Sequence, residues 1–182
     1  REEFLSVLIP KVEAITIGDP TKEDTMVGTL VTESEAIRVE QAIQKAVADG
    51  GRLLTGGERS GTLITPAIVD GVEGDHEFAQ EELFGPAVSI TSAKDLDHAF
   101  ELANSTKYGL GSGIFTHDQD ESIRAMREID SGVVHINWTP LWRADLMPYG
   151  GMKSSGIGKE GVRTTVHEMT EWKTVIMHSR VQ

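Results

Sequence analysis

The segment Glu81-Glu82-Leu83-Phe84-Gly85-Pro86 joins two adjacent carboxylates to an aromatic residue and a Gly-Pro turn. Carboxylates accept hydrogen bonds, and an aromatic face packs on flat rings, so these side chains could contact a ligand. By composition alone, however, the segment is typical of a solvated acidic turn with a buried Phe. Other motifs of the sequence are needed to distinguish a ligand contact from a solvated surface turn.

A second candidate, residues 156–161, matches the G-x-G-x-x-G pattern of dinucleotide-binding loops. That mechanism requires a strand directly before the loop, a helix that opens at it, and an acidic residue about twenty residues later. Irregular sequence precedes this segment, and the chain nearly ends before an acidic partner could follow. The pattern therefore favours a packing turn.

The chain has six His residues and no Cys, so it offers few candidates for metal binding or nucleophilic catalysis. Neither His76-Glu77 nor His167-Glu168 has the second His, one turn later, that a zinc-binding helix needs. A Gly-x-Ser-x-Gly elbow that could activate a serine is absent, and Ser154-Ser155 is interpreted as turn chemistry. We predict no metal site, and the chain offers no thiol nucleophile.

The charge of the chain argues against two classes of partner. It has 29 acidic and 17 basic residues, a net charge of −12, and such a surface repels phosphate backbones and anionic lipids. We therefore expect no nucleic-acid or membrane partner. Apolar runs are too short to span a bilayer, and the N-terminal sequence has no secretory signal, so cytoplasm is the default location.

Hydrophobic periodicity predicts an α/β fold with a parallel-rich sheet and flanking helices. From residue 87 onward, strands alternate with helices, as in βαβ units. The predicted helices cover residues 2–15 (interrupted at Pro10), 32–50 (opened by a Thr32-Glu35 capping box), 96–103, 123–129 and 162–169. The predicted strands cover residues 52–55, 63–69 (with a break or edge at Pro66), 88–91, 113–116, 133–137 and 172–178.

One long segment fits neither period. Residues 138–161 are rich in Gly and Pro, and a loop of that length inside a compact domain is usually functional or disordered.

Several of these motifs, in this order and spacing, resemble the C-terminal part of the aldehyde dehydrogenase superfamily, and the resemblance covers essentially residues 1–182. The resemblance therefore implies that residues 1–182 are the C-terminal portion of one catalytic domain, and that residues 172–178 belong to the oligomerisation region. The matching motifs are Gly18-Asp19-Pro20, Gly56-Gly57, the Glu81 to Pro86 segment, Leu102-Ala103-Asn104, Tyr108-Gly109-Leu110, residues 132–137, and residues 148–160.

The resemblance implies roles for five residues. Glu82 would hold the ribose hydroxyls on the nicotinamide side of NAD or NADP, and Phe84 would pack near the nicotinamide. Both roles agree with the chemistry of a carboxylate that accepts two hydrogen bonds from a vicinal diol and of a ring that flanks a ring. Trp142, Arg143 and Tyr149 would face the aldehyde from one wall of its tunnel.

The family's reaction is implied in the same way. A Cys thiolate attacks the aldehyde, the thiohemiacetal gives a hydride to NAD(P)+, and water activated by a Glu releases the acid. The nucleophile and the cofactor domain would precede Arg1, so we expect this chain to be inactive alone. The alternative is a non-catalytic, standalone domain that keeps the fold for assembly or binding.

The substrate prediction rests on Arg143, which stands before the Met-Pro-Tyr-Gly-Gly segment. This form resembles subgroups that act on lactaldehyde, on phospho-, phosphono- or sulfo-aldehydes, or on succinate semialdehyde. One hypothesis is that Arg143 holds an anionic or hydroxylated substrate tail through its planar fork of donors. The other is that it pairs with Asp145 or another acid of the loop and braces the turn. We further predict a homo-oligomer.

Overall fold

In the computed structural model, which describes residues 1–179, six helices are interspersed with nine short strands. The helices are α1 (Glu2–Glu13), α2 (Glu33–Ala48), α3 (Glu77–Gln80), α4 (Leu96–Asn104), α5 (Gln119–Glu128) and α6 (Val162–Glu168). The strands are β1 (Arg52–Thr55), β2 (Arg59–Ser60), β3 (Leu63–Ile64), β4 (Ala67–Asp70), β5 (Ala87–Ile90), β6 (Tyr108–Gly109), β7 (Gly111–Ile114), β8 (Val133–Ile136) and β9 (Met152–Lys153).

The chain divides into two compact units, Arg1–Thr106 and Lys107–Gln182. The core of the first lies between α2 and a three-stranded sheet of order β1-β4-β5. Thr32 caps α2 by accepting a hydrogen bond from the Glu35 amide at 3.2 Å, as the capping box predicts. The apolar face of α2, with Val39 and Ile43 at its centre, packs on β4, whose four residues are all buried.

In this first sheet, β4 pairs with β5 in parallel and with β1 in antiparallel orientation. The register aligns Ala67 with Ala87 and Arg52 with Asp70. Pro66 divides the predicted strand of residues 63–69 into β3 and β4, because proline cannot donate to a ladder hydrogen bond. Pro10, in contrast, lies within the single helix α1.

The second unit contains one predicted βαβ motif in full. The strands β7 and β8 are parallel and aligned from Gly111 with Val133 to Ile114 with Ile136, and α5 connects them. Asp118 caps α5 by accepting hydrogen bonds from the amides of Asp120 and Glu121. A second two-stranded sheet pairs β6 with β9 in antiparallel orientation.

The α/β class is confirmed, and the strand pairing combines parallel and antiparallel neighbours. Among the described residues β1/β4, β2/β3 and β6/β9 are antiparallel, and only β4/β5 and β7/β8 are parallel. The strand β5 pairs with β4, which precedes it in the chain, and not with the next strand as the βαβ pattern suggested. Short antiparallel pairs leave no periodic signal because their strands are only two residues long.

The predicted strand at residues 172–178 has no strand neighbour in the described chain. A strand at a subunit interface pairs with another copy, so its role in oligomerisation stays a prediction, as does the assignment of residues 1–182 to one catalytic domain. Within residues 1–179 no helix has both the length and the apolarity to cross a membrane.

Candidate functional site

The first predicted contact region is the 81–86 turn, which connects α3 to β5. Leu83 is partly buried and packs against the core of the first unit, whereas Glu82 and Phe84 are exposed. Phe84 has 75% of its surface exposed, so the interpretation of a buried Phe is wrong, and Leu83 takes the inward place. The aromatic side chain is therefore available to a ligand.

The backbone of this turn is strained at Phe84, whose φ is 51°. A positive φ at an aromatic residue costs on the order of 1–3 kcal/mol and persists only where surrounding contacts hold it. Two such contacts flank Phe84. The Arg38 guanidinium donates to the Leu83 carbonyl at 2.6 Å, and the Ala67 amide donates to the Pro86 carbonyl at 2.8 Å.

Gly85 provides a third anchor because its backbone lies directly on α2. A Cβ added there would be 2.7 Å from both methyl carbons of Val39, and Val39 is completely buried. No side chain fits this position without a shift in the core. The turn is thus pressed onto a rigid helix, and the direction in which Phe84 points is fixed by its neighbours.

The Glu82 carboxylate, on the residue directly before the first of these anchors, accepts no hydrogen bond and forms no ion pair within residues 1–179. A groove of about 260 Å³ between α2 and the turn lies beside it, lined in part by Arg38, Lys45 and His76. Two oxygens without partners can accept both hydroxyls of a ribose diol. An exposed carboxylate and an exposed aromatic ring thus stand on one anchored turn, with Glu82 lining this groove and Phe84 lining a second one.

The second region, the 138–161 loop, begins where Asn137 turns the chain out of β8. Asn137 has a φ of 56°, and its side-chain oxygen accepts a hydrogen bond from the Thr116 amide at 2.8 Å. Its own amide donates to the Ile114 carbonyl at 2.7 Å. Asn tolerates this left-handed conformation better than most residues, so its position at the strand end has a physical reason.

Trp142 is half exposed and lies edge-on to His135 of β8, with ring centroids 6.3 Å apart at an angle of 83°. The Nε2 atom of His135 is buried and has no hydrogen-bond partner within the described chain. Trp142 therefore contacts this histidine by edge-to-face packing and not by a hydrogen bond to Nε2.

Arg143 contacts both Tyr149 and an acid that sequence reasoning had not singled out. Its guanidinium carbon lies 4.3 Å from the centre of the Tyr149 ring, and its Nη2 lies 3.2 Å from Glu160 Oε2. The Tyr149 amide also donates to the Glu160 carbonyl at 3.0 Å. Arg143 thus pairs with a loop acid, which is Glu160 rather than Asp145, and two of the three predicted tunnel residues contact each other.

The glycine pattern of residues 156–161 forms a packing turn. The Lys159 amide donates to Glu168 Oε1 at 2.9 Å, and a Cβ at Gly158 would be 2.5 Å from Glu168 Oε2. The Lys159 amine donates to the Gly150 carbonyl at 2.8 Å. Ser155 fixes the Gly109 amide by accepting its hydrogen bond at 2.9 Å, which agrees with a structural role for this serine.

No group of three or more His, Asp or Glu side chains within residues 1–179 is arranged to hold a metal ion. Sequence reasoning also missed Arg38, which is 45 residues from its acceptor on Leu83. A contact over that separation leaves no local signal.

Comparison with known proteins adds an independent finding. The model of the aldehyde dehydrogenase family matches residues 1–175. The chain is 42% identical over 178 residues to lactaldehyde dehydrogenase of Methanococcus vannielii, covering 98% of this chain and 38% of that protein. It is 37% identical to 3-sulfolactaldehyde dehydrogenase of Priestia aryabhattai, covering 96% of this chain and 37% of that protein.

Solved structures give the same picture. Aldehyde dehydrogenase 21 from Physcomitrella patens, in complex with the reaction product succinate, superimposes with a TM-score of 0.92 at 39% identity. A glyceraldehyde-3-phosphate dehydrogenase from Methanocaldococcus jannaschii, complexed with NADP, gives a TM-score of 0.91 at 38% identity. Each match covers 97% of this chain, and 37% and 38% of the respective relatives.

Proposed function

The chain belongs to the aldehyde dehydrogenase family, and we propose that it supplies the nicotinamide-ribose contact and one wall of the aldehyde tunnel to an enzyme that oxidises an aldehyde to its carboxylic acid. When bound, NAD(P)+ supplies the hydride acceptor for this oxidation. The chain has no Cys, so the thiolate that forms the thiohemiacetal has to come from outside these 182 residues.

The observation that carries the proposal is the arrangement of the 81–86 turn. Glu82 presents a carboxylate without a partner in the described chain, and two residues later Phe84 is held exposed in a strained conformation. The two Glu82 oxygens would accept hydrogen bonds from the two ribose hydroxyls and so orient the sugar. Phe84 would flank the ring that the sugar carries and exclude water from it.

For the substrate we propose a small aldehyde with a hydroxylated or anionic tail. Arg143 offers a planar fork of five donors, and its pairing with Glu160 engages only Nη2. Two relatives are named for lactaldehyde and 3-sulfolactaldehyde; both compounds carry a hydroxyl next to the aldehyde, and the second adds a sulfonate one carbon further away. A guanidinium can bind either group, so these names support the proposal.

A chimera tests the cofactor contact. In it, this chain replaces the matching 178 residues of Methanococcus vannielii lactaldehyde dehydrogenase, and NAD(P)H formation is followed with lactaldehyde. The chimera should be active, and the chain alone inactive because it has no thiol. Glu82→Gln should raise the KM for the cofactor about ten- to a hundredfold, the loss expected for hydrogen bonds to a charged group.

The neighbouring carboxylate provides the matched control. Glu81→Gln removes the same charge one residue away and should change the cofactor KM less than about twofold, a difference of roughly 0.4 kcal/mol. Equal effects of the two variants would mean that general charge, not a ribose contact, is at work. A folded chimera that binds the cofactor and oxidises no aldehyde would favour the non-catalytic alternative.

We also propose that the chain assembles as a homo-oligomer and acts in the cytoplasm. Trp172, Ile176 and Met177 are 91%, 73% and 91% exposed on a segment without helix or strand structure. Apolar side chains on an unpaired segment favour addition to the sheet of a second copy. Light scattering should show a dimer or larger species, and Ile176→Asp should weaken it. A stable monomer from micromolar to millimolar concentration would refute the assembly.

A further inference from the structure

His76, at the start of α3, makes two directional contacts. Its Nδ1 accepts a hydrogen bond from the Phe78 amide at 3.0 Å, and its Nε2 lies 3.0 Å from Asp49 Oδ2. A backbone amide can only donate, so Nδ1 carries no proton. The ring proton is therefore on Nε2, where it is donated to Asp49. Only 15% of the His76 side chain is exposed, and both ring nitrogens have a defined role.

The acceptor, Asp49, is the C-cap residue that directly follows α2. The Lys45 amine lies 3.1 Å from the same Oδ2 atom and 3.6 Å from Glu77. Hydrogen bonds from His76 and Lys45 hold the pKa of Asp49 below its ordinary value, so the group is a carboxylate near neutral pH. The charged groups around the imidazole are thus Asp49 and Lys45 from α2 and Glu77 from α3.

These contacts matter because α3 leads directly into the 81–86 turn. Helix α3 has four residues, and such a short helix is not stable without external contacts. Both of its flanks are tied to α2. His76 is bound to Asp49 on one side, and the Leu83 carbonyl is bound to Arg38 on the other. Glu82 lies between these two ties.

We propose that His76 is a positioning residue for Glu82. By capping α3 through Nδ1 and tying it to α2 through Nε2, the imidazole sets where the Glu82 carboxylate stands. This inference rests on the proposed ribose contact of Glu82, and it adds a residue that does not itself touch the cofactor.

The two contacts can be separated by substitution, which distinguishes positioning from simple packing. The substitution His76→Asn would keep an acceptor near the position of Nδ1, and Asn is among the best helix caps, but its side chain cannot reach Asp49. The substitution His76→Gln would place an amide donor near the position of Nε2, but Gln is a poor cap. We expect the cap to matter more, because it acts on the backbone that continues into Glu82.

Amide hydrogen exchange on the 182-residue chain reads the position of the turn without any cofactor. His76→Ala should accelerate exchange of residues 77–83 about fivefold, the change expected for the loss of one helix cap. His76→Gln should resemble His76→Ala, and His76→Asn should stay within about twofold of the unchanged protein. Unchanged exchange in His76→Ala would overturn the assignment, whereas equal acceleration by the Asn and Gln variants would mean that both contacts are needed.

His98 supplies a matched control in the same unit. Its Nδ1 also accepts a backbone hydrogen bond, from the Lys94 amide at 3.1 Å, but it lies in α4 and does not lead into the turn. His98→Ala should leave exchange of residues 77–83 unchanged. Acceleration by both variants would show a general loss of stability and would count against a specific role for His76.

The chimera supplies the second readout. His76→Ala should raise the cofactor KM about three- to tenfold with kcat within about twofold, and it should add nothing once Glu82 is already Gln. Faster exchange with an unchanged KM would make His76 merely structural and overturn the proposal. An unchanged KM in Glu82→Gln would instead refute the ribose contact, while the exchange data would still decide whether His76 holds α3.

Discussion

The 81–86 turn and the 138–161 loop both carry side chains predicted to contact a ligand, but they are held in different ways. The turn is fixed through its backbone, by Arg38 on the Leu83 carbonyl and by Gly85 against Val39. In the loop, candidate side chains hold one another, since Arg143 stacks on Tyr149 and pairs with Glu160.

In the turn, the proposed ligand contact of Glu82 is independent of the contacts that stabilise the fold. In the loop, Arg143 would serve both purposes. Glu82 has no partner in the described chain, so its replacement would remove the proposed ligand contact and little else. Arg143 already contributes a cation–π contact and an ion pair, and both are partly exposed. A substrate anion would have to share its guanidinium with Glu160, so the gain from binding would be smaller.

The base of the loop is where the largest effect is expected. A Cβ at Gly132 would overlap the Gly150 carbonyl oxygen and lie 2.8 Å from the Lys159 amine. Backbone atoms cannot yield as a flexible side chain does, so Gly132→Ala should lower the free energy of unfolding by about 3 kcal/mol. Urea denaturation of the 182-residue chain measures this loss.

Gly28→Ala is the control for that variant, because the nearest atom to its added Cβ is Pro20 Cβ at an ordinary 3.4 Å. It should change the free energy of unfolding by less than about 0.5 kcal/mol. Should Gly132→Ala be equally mild, the base of the loop would not be closely packed, and the loop would depend on its side-chain contacts alone.

An intermediate effect is expected in the turn. Gly85→Ala places a methyl 2.7 Å from the two methyl carbons of Val39, inside the core of the first unit. We expect a loss of about 1–3 kcal/mol in the free energy of unfolding, because the backbone would have to lift away from α2. The same shift would move Phe84 and raise the cofactor KM of the chimera.

A double-mutant cycle checks the cause. Val39→Ala alone opens a cavity and destabilises the core, but combined with Gly85→Ala it makes room for the new methyl. The double variant should therefore lose about 1 kcal/mol less free energy of unfolding than the sum of the losses in the two single variants. Strict additivity would show that Gly85 does not press on Val39.

How far the sequence predicted these regions depends on the range of the contacts involved. The cap of α2 by Thr32 and the break at Pro66 follow from neighbours within three residues, and both were predicted correctly. The parallel pairing of β4 with β5, and the Arg38 contact with Leu83, join residues about twenty or more apart. Periodicity carries no information about such partners.

The residues of the candidate site also divide into those that local sequence predicts and those that depend on distant contacts. The composition of the 81–86 turn predicted a buried Phe, but Leu83 points inward and Phe84 outward. That exchange follows from the positive φ of Phe84, which is imposed by contacts with α2 and β4. The roles of Glu82 and Phe84 were inferred from the family resemblance, since no physical pattern in six residues distinguishes a ribose contact from a surface turn.

The smallest effect is expected for Arg143→Ala, assayed in the chimera with one anionic and one neutral aldehyde of similar size. If Arg143 holds the substrate tail, kcat/KM for the anionic aldehyde should fall about tenfold, the lower end for a charge-assisted hydrogen bond. The lower end applies because the guanidinium is shared with Glu160. For the neutral aldehyde, kcat/KM should fall less than about twofold, a difference of roughly 0.4 kcal/mol.

Glu160→Gln distinguishes the two roles of Arg143, because it weakens the ion pair and keeps the arginine. If Arg143 binds the substrate, this variant should leave kcat/KM for the anionic aldehyde unchanged or raise it, since the guanidinium no longer has to be shared. If Arg143 only braces the loop, Arg143→Ala and Glu160→Gln should each lower kcat/KM equally for the anionic and the neutral aldehyde. That second pattern would leave the loop structural and the substrate class open to reassignment.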